Sequence, residues 1–234
     1  MNMGEQVLLS GDPPIELVLK ASARARRFSL RVSRLDGRVT LTLPRGASRR
    51  QALAFAEEKA EWIRRHIAEH PGEMRPLPGQ AISFRGASLP IVAAPGRAVR
   101  LVDDRIEVPA RDPERTPARL AAFLKHHARL DLVEASRRHA ARLGLAHGRI
   151  TLRDTRSRWG SCSAQGDLMY SWRLIMAPPG VLDYVAAHEV AHLAEMNHSP
   201  AFWVQVARLY PDYDAPRRWL RTNAQNLHRY RFKD

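Results

Sequence analysis

Residues 188–198 read His-Glu-Val-Ala-His-Leu-Ala-Glu-Met-Asn-His. On a helix, His188 and His192 lie one turn apart on the same face, so both imidazoles reach a single ion. Glu189 is rotated by about 100° from His188, beside that ion and outside its ligand set. From there a carboxylate can take a proton from a metal-bound water and pass it to a leaving group. Three nitrogen ligands at about 2.0–2.1 Å leave a fourth position for water, the open coordination of a catalytic zinc site.

His198 imposes a condition on the chain. In a straight helix it would sit about 9 Å beyond His192 along the axis, too far to share the ion. The helix, expected over about 181–195, must therefore stop, with Asn197 in a left-handed C-terminal position that folds His198 back. Metzincins have the same His-to-His spacing with Gly where Glu195 stands, so this chain needs a different exit from the helix. Ser199-Pro200 then reads as the cap and first residue of the next helix.

Working outward, Pro178-Pro179-Gly180 breaks the chain before the histidine helix, and further helices follow Pro200 and Ala215. Upstream, Ile150-Thr151-Leu152-Arg153 and a hairpin turning through Ser163–Asp167 read as strands. A long helix runs from about Pro113 to Leu143, with Leu120, Phe123, Leu124, His127, Leu130 and Val133 on its apolar side and Gly144 as its stop. Before it the pattern changes to period two. Phe28/Leu30/Val32 and Val39/Leu41/Leu43 flank Asp36-Gly37, a hairpin signal, and short strands recur over 80–108. Between these sets, Ser48 and Gln51 form a capping box for one helix that ends at His70-Pro71-Gly72. The expected class is α+β: a β-rich module with one helix over 1–112, then a mainly helical module with a β-hairpin over 113–234.

Composition limits the function classes. The chain has 234 residues, 44% of them hydrophobic and 26% charged, which suits a packed globular protein and excludes a disordered or fibrous one. No apolar run approaches the roughly 20 residues that span a bilayer, and the first residues lack a signal-peptide pattern. Cys162 is the single cysteine, so no intrachain disulfide forms. The expected setting is cytoplasmic, without a membrane partner. The formal charge is +14, and all but four of the 38 basic residues (Lys20, Lys59, Lys125, Lys233) are arginines, spread along both halves. Such a skew has a compositional explanation, and it also keeps polyanionic partners open.

The remaining site residues carry paired readings. Arg158 is a candidate substrate-binding residue that holds an oxyanion or phosphate, or else it forms a plain salt bridge. Trp159 and Trp172 read as packing of the hairpin onto the helix, and Cys162 as a small buried residue. The hairpin from Ser157 to Leu174 is where an extended peptide could add to an edge strand. Asp183 reads as serving the helix dipole or a histidine, and Tyr210 as a distant donor toward the open metal position. Adjacent His126 and His127 cannot share one helix face, which argues against a second metal site there.

Arg158-Trp159-Gly160-Ser161-Cys162-Ser163, Trp172-Arg173-Leu174-Ile175, Asp183-Tyr184-Val185, the histidine motif and Asn197-His198-Ser199 with Phe202-Trp203 resemble the YgjP-like metallopeptidase-domain family. That family is related in its core to SprT-like and minimal gluzincin proteases, and the resemblance runs from about residue 20 to 225. It implies a zincin-like module with one catalytic Zn²⁺ held by His188, His192 and His198, and Glu189 as general acid/base. The expectation is a zinc-dependent hydrolase, a metallopeptidase acting on peptide or protein. The alternatives are a divalent-metal phosphohydrolase acting on nucleotides or another small phosphorylated substrate, and a DNA-associated SprT-like protease or binding protein. Nucleic acid is not the favoured partner.

Overall fold

The structure, a computed structural model, describes residues 5–33, 37–68 and 72–233. Its class is α+β, with six α-helices and three small mixed sheets among the described residues. The chain divides into two compact units, Met1–Glu73 and Met74–Asp234.

In the first unit β1 (Glu5–Leu9), β2 (Ile15–Ser22), β3 (Ser29–Val32) and β4 (Val39–Pro44) form one sheet in the order β1-β2-β4-β3. Two antiparallel pairs are joined by parallel pairing of β2 with β4. The alternating residues Ile15, Leu17, Leu19, Val39 and Leu41 all point into the core, as period-two patterning demands. Asp36 of the expected turn and His70-Pro71 at the expected helix end lie outside the described residues. The expected single helix is two, α1 (Arg49–Glu58) and α2 (Ala60–Ala68), separated only by Lys59. The Ser48 capping box is present in both directions: Gln51 N–H donates to Ser48 Oγ at 3.2 Å, and Ser48 N–H to Gln51 Oε1 at 3.1 Å.

The second unit starts with a sheet on the same plan. Strands β5 (Ala81–Phe84), β6 (Ala87–Ala94), β7 (Arg100–Val102) and β8 (Arg105–Pro109) follow the order β5-β6-β8-β7, again two antiparallel pairs joined by a parallel one. The change from strands to helices falls near residue 112, yet compactness divides the chain at Glu73/Met74. The physical reason is burial: Ile82, Phe84, Ile91, Ile106 and Val108 share one core with the helix that follows.

That helix, α3, spans Thr116–Leu143 and stops at Gly144, whose φ of 69° suits a residue without Cβ. Its buried stripe runs Leu120, Leu124, Ala128, Leu132, Ala135. Leu130, expected on the apolar side, is 53% exposed because it lies about 200° around the helix from Leu132. Next comes a three-stranded sheet of β9 (Ile150–Arg153), β10 (Gly160–Cys162) and β11 (Leu168–Ser171), in the order β10-β11-β9. A 3₁₀ turn over Trp172–Met176 leads to α4 (Pro179–Ala191), then α5 (Pro200–Leu209) and α6 (Asp214–His228). No helix among the described residues is long and apolar enough to cross a membrane.

Candidate metal centre and active site

Helix α4 is almost wholly buried, and its apolar residues Val181, Leu182, Val185 and Val190 anchor it in the core. It ends at Ala191, four residues before the expected end at Glu195. The exit is made by tightened bonds: Leu193 N–H donates to Val190 O at 3.0 Å and Ala194 N–H to Ala191 O at 3.1 Å. Asn197 is not among the residues with positive φ, so the left-handed turn expected there does not occur. A chain without glycine at this point leaves the helix through i→i−3 turns, which need no left-handed residue. Ser199 caps α5, with Phe202 N–H donating to its Oγ at 3.4 Å, and Pro200 occupies the first helical turn.

This exit returns His198 to α4. One ring nitrogen from each of His188, His192 and His198 lies within 4.8 Å of the other two. Nε2 of His188 and Nε2 of His198 are 3.1 Å apart. Two nitrogens bound at about 2.05 Å to a tetrahedral ion stand about 3.3 Å apart, so this pair fits one ion. His192 Nδ1 lies 3.0 Å from Glu195 O; donating that proton leaves Nε2 with a free lone pair. Burial and the neighbouring imidazoles push His188 down to about 3, and burial lowers His192, so both rings are neutral and available as ligands at pH 7. Phe202 stacks on His192, with ring centroids 4.4 Å apart. His188 Nδ1 is buried without a hydrogen-bond partner. The three histidines therefore fit a divalent metal ion, and a set of nitrogen donors suits zinc among others.

Glu189 is buried, and burial pushes its carboxyl up to about 8 against the opposing effect of Arg158. Its carboxyl seat is Gly160 on β10. A Cβ on Gly160 would lie 2.5 Å from Glu189 Oε1 and 2.7 Å from Cδ, so only glycine leaves the room. Beside it a cavity of about 230 Å³ is bordered by Arg158, Gly160, Tyr184, His188 and Glu189. The arrangement sets a buried carboxyl of raised proton affinity, the imidazole of His188 and a guanidinium around one space.

The other candidates take structural places. Asp183 pairs with Arg138, and its Oδ1 lies 2.8 Å from His139 Nε2, so it ties α4 to α3 and does not touch the histidine cluster. Tyr210 has its hydroxyl at the start of α4, where a Cβ on Gly180 would stand 2.9 Å from it. Trp159 packs against His228 with ring centroids 5.1 Å apart, and Trp172 is buried against Phe232. Cys162 is half-buried, with its thiol raised by burial and by Glu189. His127 packs against Phe84 and Phe123.

Two further residues did not emerge from residue-by-residue reading. One is Gly160, for which a glycine inside a short strand was the available signal. The other is Arg173, buried between Trp172 and Phe232. It donates to Asp154 Oδ1 at 2.6 Å and Oδ2 at 3.2 Å, and to Leu227 O and Tyr230 O at 2.8 and 3.1 Å. It fastens the segment that enters β10 to the end of the chain. No local pattern marks a buried arginine.

The YgjP-like family model, described as a metallopeptidase domain, matches residues 26–223. Among solved structures, the crystal structure of the metallopeptidase zymogen of Pyrococcus abyssi abylysin aligns with a TM-score of 0.38 and 19% identity. That alignment covers 40% of this chain and 95% of that one. No curated protein sequence matches the chain.

Proposed function

Because the chain belongs to the YgjP-like metallopeptidase-domain family, we propose that it is a zinc-dependent peptidase with Glu189 as its general acid/base. His188, His192 and His198 would hold the ion. The observation that carries this reading is the carboxyl of Glu189, buried, seated on Gly160 and bordering the same cavity as His188 of the histidine cluster. A bound zinc ion would supply Lewis acidity, acidifying a water molecule and polarising a carbonyl.

The chain's own residues supply the rest. Glu189 has a raised proton affinity, so its carboxylate is a stronger base than an exposed one; it accepts the proton of the attacking water and returns it to the departing amine. Gly160 keeps that carboxylate in place through van der Waals contact. Arg158 borders the same space with a fixed positive charge, suited to an oxygen that gains negative charge. An extended peptide on the free edge of β10 would lie beside Gly160, held by backbone hydrogen bonds.

The test is Glu189→Ala in zinc-loaded protein, with an unstructured protein and nucleoside triphosphates assayed side by side. Proteolysis should fall by about 10³-fold while zinc stoichiometry stays at one per chain. Proteolysis at the wild-type rate would overturn the role of Glu189. Hydrolysis of the triphosphates alone would overturn the peptidase reading.

A further inference from the structure

The side of the β9–β11 sheet away from Glu189 has its own composition. Cross-strand register puts Ser161, Met169 and Thr151 in one row, and side chains in a row share a face. Arg149 and Arg153 flank Thr151 at alternate positions on the same side. Together with Arg158 they border a cavity of about 570 Å³ over this face. One carboxylate, Asp167, lies in it and meets Arg149 at 3.5 Å, where the arginine side chain is 77% exposed. Among the described residues no carboxylate forms an ion pair with Arg153 or Arg158. The face has surplus positive charge, and Arg158 borders both this cavity and the one beside Glu189.

The strand between the two cavities is an edge. Among the described residues β10 pairs only with β11. Ser171 N–H donates to Trp159 O at 2.8 Å and Ser163 N–H to Asp167 O at 2.9 Å. Antiparallel alternation then turns Ser161 inward and leaves the N–H and C=O groups of Gly160 and Cys162 facing away from the sheet. A peptide added there as a fourth strand directs its side chains alternately to the two faces. The residue opposite Gly160 points toward Glu189. The residue opposite Ser161, and those two positions away from it, point to the side of the sheet that carries the arginines.

We propose that this outer face is a subsite for acidic side chains of an extended peptide substrate bound along β10, with glutamate preferred at alternate positions. The proposal rests on the peptidase reading and adds its substrate class. Arg149 and Arg153 stand in the β9 row, three strand spacings or about 14 Å from a peptide added outside β10, a span that two extended side chains bridge better with glutamate than with the shorter aspartate. Nucleic acid fits the face less well. Among the described residues no aromatic ring borders the cavity to stack a base, and the free backbone groups of the edge match a peptide.

The experiment measures fluorescence anisotropy with zinc-loaded Glu189→Gln protein and three probes: an extended peptide with glutamate at alternate positions, its glutamine counterpart, and a single-stranded oligonucleotide. The glutamate peptide should bind about tenfold more tightly than the glutamine one, with the difference shrinking as salt rises. Arg149→Glu with Arg153→Glu should bring it to the glutamine level while zinc stoichiometry and the unfolding midpoint hold. Equal binding of the two peptides, a preference that survives the double charge reversal, or tighter binding of the oligonucleotide would overturn the proposal. Wild-type enzyme separates the two readings. Cleavage of both peptides at equal kcat/KM sinks only the acidic subsite, whereas glutamate-dependent binding without any cleavage upholds the subsite and sinks the peptidase.

Discussion

The two faces of the β9–β11 sheet share the same strands and differ in nearly everything else. On the inner face Leu168 and Tyr170 are buried, the Tyr170 hydroxyl meets Ser136 Oγ at 3.0 Å, and Gly160 seats the carboxyl of Glu189. On the outer face exposed arginines stand beside half-buried hydroxyl side chains. Alternation along one strand thus separates a dry compartment, where a carboxyl's proton affinity can be raised, from a wet one suited to charge recognition. Changes to the inner face, or to what fastens it, should be costly; changes to the outer face should leave stability alone.

The largest expected effect tests the fastening. Arg173→Met leaves Asp154 and two carbonyls without their donor, and should lower unfolding stability by about 3–5 kcal/mol in urea titration. A loss below 1 kcal/mol would mean that the segment entering β10 does not depend on this arginine. Gly160→Ala comes next. The new Cβ displaces the Glu189 carboxylate, so kcat should fall by about 10–100-fold with KM and zinc stoichiometry unchanged. A wild-type kcat in that variant would break the distinction between the faces.

A smaller effect depends on pH. His228, packed against Trp159, has its proton affinity pushed down to about 4 by burial, with Arg173 adding to the shift. In the unfolded chain it takes up a proton near its ordinary 6.5, so the folded protein loses stability as pH falls from about 6.5 to about 4. His228→Gln should remove roughly 1–2 kcal/mol of that acid sensitivity, read from denaturation midpoints at pH 7 and pH 4.5. An unchanged pH slope would show that His228 is solvated. The smallest effect belongs to the outer face: Thr151→Ala should shift stability by no more than about 0.5 kcal/mol in the same assay. A larger loss would mean that this face, too, is structural.

Much of this was legible in the sequence, for identifiable reasons. Phe28/Leu30/Val32, Val39/Leu41/Leu43 and the strands over 80–108 follow period two because one face of each sheet is buried. Ser48, Gly144 and Ser199-Pro200 marked helix ends because orphan backbone groups need local partners. His188 and His192 had to share a face for the same helical reason. The exit from α4 was not legible, since it depends on bonds by which the chain tightens after Val190 and Ala191 and on the contact of His192 with the Glu195 carbonyl. The division of the chain at Glu73/Met74 was hidden as well. Two sheets of identical strand order look alike in sequence, and only packing shows that the second shares a core with α3.

By itself the sequence determined most strands and helices, the caps at Ser48, Gly144 and Ser199, and the spacing that puts His188, Glu189 and His192 within one turn of α4 and its end, because those features depend on residues close together along the chain. Tertiary structure alone decided that His198 returns to the cluster, that Gly160 supplies the seat of Glu189, and that Arg149 and Arg153 share one face with Arg158 at the border of both cavities. These are contacts between segments distant along the chain. They exist only once a common core has fixed where each segment lies.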